Sequence, residues 1–380
     1  MTRGTGKNKR GLGRPPAALR WSPVVAVLIV AGLPVATSTA AIVASPTLLG
    51  TYYGNQGWAM RDVKALETWQ GRNHAVVELF TNWNASHKTL DNLFGQQLPN
   101  VWANGNVPLV TWEPFTSANT PSDVEVHIAR GDYDTYLRAW AGRLAAFVAG
   151  PDGRPDTGDD RRVYVRLGHE PNGDWYPWGA AVGGNRPSDY VAMWQRVRRL
   201  VMTAAGLGPS TVQWVWAVNA EDVGGVRAEE FYPGDGDVDW VAVDGYNWGS
   251  SEWWSSWRPA ADVLGPMVDR LRALAPAKPL AVTEVASTTA GAGVAAKSAW
   301  ITDLYSWLPA NGVAMVVWFN TDKETDWAVF GGSAGDESFR FGRTTYRSYS
   351  SYRKAVRSGS YRGSDVANPR LLTDDQFAGR

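Results

Sequence analysis

At 380 residues, 44% of them apolar and 19% charged, the chain is long enough to bury one large core. Its 37 basic residues balance its 37 acidic ones. Six of the basic residues precede position 41, so the remainder carries 31 Lys and Arg against 37 Asp and Glu, and this acidic balance argues against nucleic acid as the partner. Cysteine is absent, which excludes a disulfide framework, thiol catalysis and thiolate metal sites.

The first forty residues have the order of a secretory signal. Arg3, Lys7, Lys9, Arg10, Arg14 and Arg20 precede an apolar run from Val24 to Val35, and small residues follow around Ser38-Thr39-Ala40. Twelve apolar residues are short of the ~20 that span a bilayer. The reading is a cleaved signal over 1–40 and a secreted protein with no stable membrane association; an uncleaved anchor is the alternative.

From residue 46 to 357 the chain alternates short apolar runs with longer amphipathic ones, which predicts a single catalytic domain. The strand-like runs are 48–54, 75–83, 107–114, 163–170, 212–219, 240–247, 280–287 and 313–320. Their Val, Ile and aromatic content without strict polar alternation suits parallel strands buried on both faces. Helical periodicity covers 132–149, 188–205, 259–275 and 294–308, the second opening at Pro187-Ser188. Eight strands with helices between them predict an α/β fold, a (β/α)₈ TIM barrel, whose sites sit at the C-terminal strand ends. A doubly wound sheet is the alternative, but no G-x-G-x-x-G follows the first strand. Residues 151–161 are a turn-rich insertion whose aspartates read as a solvated loop ahead of a calcium site. The tail 358–380 lacks periodicity and is read as partly disordered.

Polar and aromatic residues gather where the strand-like runs end. Glu170 and Glu284 lie on the fourth and seventh runs, and such a carboxylate pair is what glycoside hydrolysis requires. One protonates the leaving oxygen while the other attacks the sugar or activates water. His169 is placed to set carboxyl ionisation, Asn172 to orient a sugar hydroxyl, and Tyr246 to hold the attacking carboxylate ionised and aimed. Glu113 ends the third run and is the rival carboxylate; substrate contact or an ion pair with Arg166 would also explain it. The chain has 21 Trp, more than packing alone demands, so Trp112, Trp175, Trp178, Trp248 and Trp318 are assigned to sugar binding. No H-E-x-x-H, P-loop or G-x-S-x-G is present, so the expectation is a reaction without metal or cofactor.

At these residues the chain resembles glycoside hydrolase family 26. The likeness rests on Arg166-Leu167-Gly168-His169-Glu170-Pro171-Asn172-Gly173 with Trp175 and Trp178-Gly179, on Val241 to Gly249, and on Val282-Thr283-Glu284, in order over roughly residues 48 to 355. It implies Glu170 as acid/base, Glu284 as nucleophile, and roles near the reacting sugar for His169, Trp175 and Tyr246. Pro171 and Tyr176-Pro177 depart from the mannan-cleaving pattern. The activity expected is a monomeric retaining endo-β-glycanase on β-1,4-mannan-type polysaccharide. The alternatives are a β-1,3-1,4-glucanase or xylanase, or a non-catalytic carbohydrate-binding barrel.

Overall fold

The structure, a computed structural model, describes residues 45–54 and 56–380; the predicted signal segment lies outside them. Among the described residues eight parallel strands run in chain order: β1 (Thr47–Tyr52), β2 (Val76–Asn82), β3 (Val107–Glu113), β4 (Val163–Leu167), β5 (Val212–Asn219), β6 (Trp240–Asn247), β7 (Leu280–Ser287) and β8 (Val313–Phe319). β1 also pairs with β8, from Leu48 opposite Met315 to Tyr52 opposite Phe319, so the sheet closes on itself and the doubly wound alternative falls.

The helices are α1 (Arg61–Gln70), α2 (His87–Asn92), α3 (Leu98–Ala103), α4 (Val124–Arg130), α5 (Asp134–Val148), α6 (Pro187–Ala205), α7 (Ala260–Leu274) and α8 (Gly293–Ala310). After β5 the connection holds a short 3-10 turn, Ala228–Phe231, and no α-helix among the described residues. The helical periodicity found in the sequence located α5 to α8 but not α1 or the short α2, α3 and α4. Those short helices carry too few apolar positions to show a period. No helix among the described residues is long and apolar enough to cross a membrane.

Strand parity sorts the core. Leu109, Tyr164, Ala242, Met315 and Val317 point into the barrel, while Val110, Val165, Leu167, Val243 and Val316 pack outward beneath the helices. Along β3 this parity turns Thr111 and Glu113 inward with Leu109, and sends Trp112 outward with Val110. β7 breaks the parity. Val243 pairs with Val282 but Asp244 pairs with Glu284, so Thr283 is the extra residue of a bulge. That bulge lets two consecutive side chains, Thr283 and Glu284, both reach groups on the interior side.

The C-terminal region corrects the expectation of a disordered tail. A hairpin of β9 (Glu337–Phe341) and β10 (Thr344–Ser348) leads to α9 (Ser350–Val356), and β11 (Tyr361–Arg362) pairs parallel with the start of β1. The chain ends through α10 (Asp374–Phe377), with Leu371, Leu372 and Phe377 buried at the floor of the barrel. Tyr164 donates to the Phe377 carbonyl at 3.0 Å, and Arg162 donates to the Leu372 carbonyl at 2.5 Å. Periodicity could not foresee this, because the segment is fixed by side chains inside the barrel and not by a stripe of its own.

Candidate active site

The mouth is built where β4 stops. After Leu167, Gly168 takes φ +47°, a left-handed turn that costs glycine little, and Glu170 follows at φ +53°, which costs a residue with a Cβ about 1–2 kcal/mol. Three hydrogen bonds hold this turn. The Gly168 carbonyl accepts from Tyr190 at 2.9 Å, the His169 carbonyl from the Trp178 indole at 2.8 Å, and Glu170 N–H donates to Ala217 of β5 at 3.0 Å. A backbone held in a sparsely populated region by its surroundings is characteristic of functional sites.

Glu170 is buried, and its Oε2 accepts from the Trp175 indole N–H at 2.8 Å. For that indole to fold back over the loop, residue 173 must lack a side chain, since a Cβ there would lie 2.5 Å from the Trp175 ring. Burial first, and then the negative charges of Asp244 and Glu284, push the Glu170 carboxyl well above the usual carboxylate range. Glu170 therefore holds its proton.

Glu284 has the opposite surroundings. One oxygen accepts from the Arg166 guanidinium and the other from the Tyr246 hydroxyl. His169 Nε2 lies 3.7 Å from Glu284 and 3.0 Å from the Tyr176 hydroxyl. Burial, followed by the positive charges of Arg166 and Lys323, drives the His169 ring well below its ordinary value, so it is neutral and its approach to Glu284 is not an ion pair.

Beneath the pair lies a fully buried charge cluster centred on Arg166. Its guanidinium meets Asp244 and Glu78 at 2.7 Å each and also Glu284, while its Nε donates to Thr111 at 2.7 Å. Thr111 donates onward to Glu78 at 2.6 Å, and Thr283 donates to Asp244 at 2.6 Å. Burial raises the Glu78 carboxyl well above its usual range and raises Asp244 as well. The sequence reading did not single out Glu78, Asp244 or Tyr176 as functional residues. Inward parity on β2 and β6 is the signal that would have found the first two.

The structure brings together Glu170, Glu284, His169, Tyr246 and Trp175. Trp248 sits beside them, 6.1 Å from Tyr246 between ring centres. Glu113 reaches the same interior side, where burial and then the charge of Glu284 push it up to about 7. It makes no ion pair with Arg166, whose two terminal nitrogens are taken by Glu78, Asp244 and Glu284.

Four assignments need correction. Trp112 is fully buried, stacked on Trp140 at 4.0 Å behind β3. Trp318 is fully buried beneath α8, donating to the Trp327 carbonyl at 3.1 Å. Both lie on the helix side of the sheet by parity and reach no sugar. Trp178 is fully buried too and stacks on Tyr176 at 4.4 Å, so it braces the turn at Gly168 to Glu170 from behind. Asn172 orients no hydroxyl. Its amide joins the loop to β5, accepting from Asn219 N–H at 2.8 Å and donating to the Asn219 carbonyl at 2.9 Å.

Among the described residues no group of three or more His, Asp or Glu has the arrangement to hold a metal ion. Within 151–161, Asp152 accepts from Arg154 N–H and Asp159 from the Thr157 hydroxyl, which ties the loop to itself.

Residues 156–278 match the family model described as Glycosyl hydrolase family 26. Endoglucanase H of Acetivibrio thermocellus is 30% identical over 318 residues, 82% of this chain, and the chain spans about 30% of that relative's length. Among solved structures, a GH26 β-mannanase from Bacteroides ovatus aligns with a TM-score of 0.58 at 17% identity, covering 86% of this chain and 93% of that one. The Bacillus subtilis mannanase BCman aligns with a TM-score of 0.53 at 21% identity, covering 73% and 81% respectively. At such identities these two likenesses speak for the barrel fold.

Proposed function

Because this chain belongs to glycosyl hydrolase family 26, we propose that it is a retaining endo-β-glycanase using Glu170 and Glu284 in a double displacement. The observation that carries the proposal is the contrast between the two carboxyls. Glu170 is buried among like charges and keeps its proton, while Glu284 is gripped by a guanidinium and a phenol in one mouth.

In the first step a Glu284 oxygen bonds to the anomeric carbon as the glycosidic C–O bond breaks, and the Glu170 proton passes to the departing oxygen. The Trp175 N–H aims the acid and then stabilises the carboxylate left behind. Ester formation removes the negative charge of Glu284, one of the charges that hold the Glu170 carboxyl high. The Glu170 carboxyl therefore falls as the second step begins and becomes the base. It takes a proton from water, the water oxygen bonds to the anomeric carbon, and the ester C–O bond breaks to regenerate Glu284.

For the polysaccharide, the name of the relative at 30% identity favours a β-glucan backbone, and the departures at Pro171 and Tyr176-Pro177 agree with that choice over the mannan first expected. The basic and then apolar order of residues 1–40 supports export from the cell. A screen for new reducing ends on mixed-linkage glucan, soluble cellulose, galactomannan and xylan tests the reading, with Glu284→Gln as control. Release from a glucan that disappears in the variant is expected. Release from galactomannan alone would move the substrate to mannan. Retention on a polysaccharide gel without new reducing ends would indicate a binding barrel.

A further inference from the structure

The loop between β6 and α7 carries aromatic side chains that neither the core nor the reaction uses. Trp253 is 92% exposed and Trp254 57% exposed, among the few large apolar side chains left in solvent by the described residues. The loop that holds them is well fastened. Ser251 donates to the Trp248 carbonyl at 2.7 Å and Ser255 to the Gly249 carbonyl at 2.8 Å. Arg258 N–H donates to the Asn247 side chain at 3.0 Å, and the Ser250 N–H to the Ala290 carbonyl at 3.1 Å. The Trp254 indole is thus displayed on a fixed support.

Trp254 is also continuous with the catalytic mouth. Its ring lies 5.4 Å from Trp248, which lies 4.8 Å from Trp327, which lies 5.1 Å from Tyr246. Tyr246 donates to Glu284. An aromatic path therefore runs from the nucleophile to the solvent edge.

We propose that this loop is an outer subsite, with Trp254 as the stacking face for a sugar unit of the polysaccharide remote from the bond being cut. The inference rests on the glycanase reading of the mouth. A sugar ring presents an apolar C–H face that one indole covers, leaving its hydroxyls in water. A protein partner is the weaker occupant, because two indoles offer at most about 250 Å² each against the ~800 Å² that a stable interface needs per side.

The test compares a polymer with a short substrate. Trp254→Ala should lower kcat/KM on soluble β-glucan roughly tenfold, chiefly through KM, a loss typical of one buried aromatic contact. On an aryl β-disaccharide, which fills the reacting subsites alone, kcat/KM should stay within about twofold. Trp254→Phe should recover most of the polymer activity. An unchanged polymer kcat/KM, or an equal fall on both substrates, would overturn the subsite. A wild-type protein inactive on both substrates would bring down the glycanase reading. Retardation in a β-glucan affinity gel then reports the subsite independently: lost in Trp254→Ala it supports the proposal, and retained it refutes it.

Discussion

Replacing Trp175 by Phe removes one atom pair of consequence, the indole N–H that donates to Glu170 Oε2 at 2.8 Å. That donor stabilises the ionised carboxylate, so it holds the Glu170 carboxyl lower than burial and its acidic neighbours alone would place it. A hydrogen bond to a charged group has a net worth of about 1.5–3 kcal/mol. The indole is 46% exposed, so water takes over part of its role and roughly half of that is lost. Without that donor the Glu170 carboxyl should rise further. The acid must be protonated for the first step, so the alkaline limb of kcat/KM against pH should move upward with it. The assay is kcat/KM on an aryl β-disaccharide across the pH range, with melting temperature as a check that the exposed ring is not structural. Activity at the optimum should fall as well, because the carboxyl loses its aim. An alkaline limb that stays in place or moves downward would refute the coupling between Trp175 and Glu170.

The other predictions concern the charges beneath and beside the mouth. Arg166→Met leaves Glu78, Asp244 and Glu284 without their guanidinium, and breaking a buried pair in this way should cost about 3–5 kcal/mol at pH 7. Denaturant titrations should show a smaller loss at pH 5, where protonation neutralises the buried Glu78 and Asp244 carboxyls that burial already raises; a loss independent of pH would contradict the charge cluster. Glu125 on α4 is fully buried with neither oxygen hydrogen-bonded to the described residues, and burial pushes its carboxyl from 4.5 up to about 8. The folded state therefore binds the extra proton between those values, and stability is lost as pH rises through that window. Glu125→Met should stabilise the protein by about 1–2 kcal/mol at pH 7, after allowing for the lost helix N-terminal charge, and by little at pH 4. A melting curve equally shifted at both pH values would disprove it.

The barrel was legible in the sequence because each parallel strand is buried on both faces and so writes itself as an apolar run. β5, β6 and β7 were bounded to the residue. The carboxylate pair was legible because Glu170 and Glu284 are polar residues interrupting or ending such runs. What could not be read was which way a strand-end side chain points. Trp112 and Glu113 are neighbours in sequence, yet parity sends one under α5 and the other to the interior of the barrel. The bulge at Thr283 shifts β7 by one residue, and a run of apolar letters carries no mark of it. Asn172 and Trp178 were assigned to sugar contacts because they flank the acid, whereas the left-handed turn at Glu170 spends both on holding the backbone. The C-terminal region escaped for a different reason: Leu371, Leu372 and Phe377 close the barrel floor through contacts more than 200 residues distant in sequence, such as Tyr164 with Phe377.

The central claim is that Glu284 attacks the sugar directly while Glu170 serves first as acid and then as base. Proton NMR of the product formed in the first minutes of hydrolysis tests it most directly, because a double displacement returns the anomeric configuration it started from. From a β-linked glucan the account predicts the β-anomer at the new reducing end, followed by slow mutarotation. The α-anomer as first product would mean that water attacks in a single step, and would contradict the role assigned to Glu284.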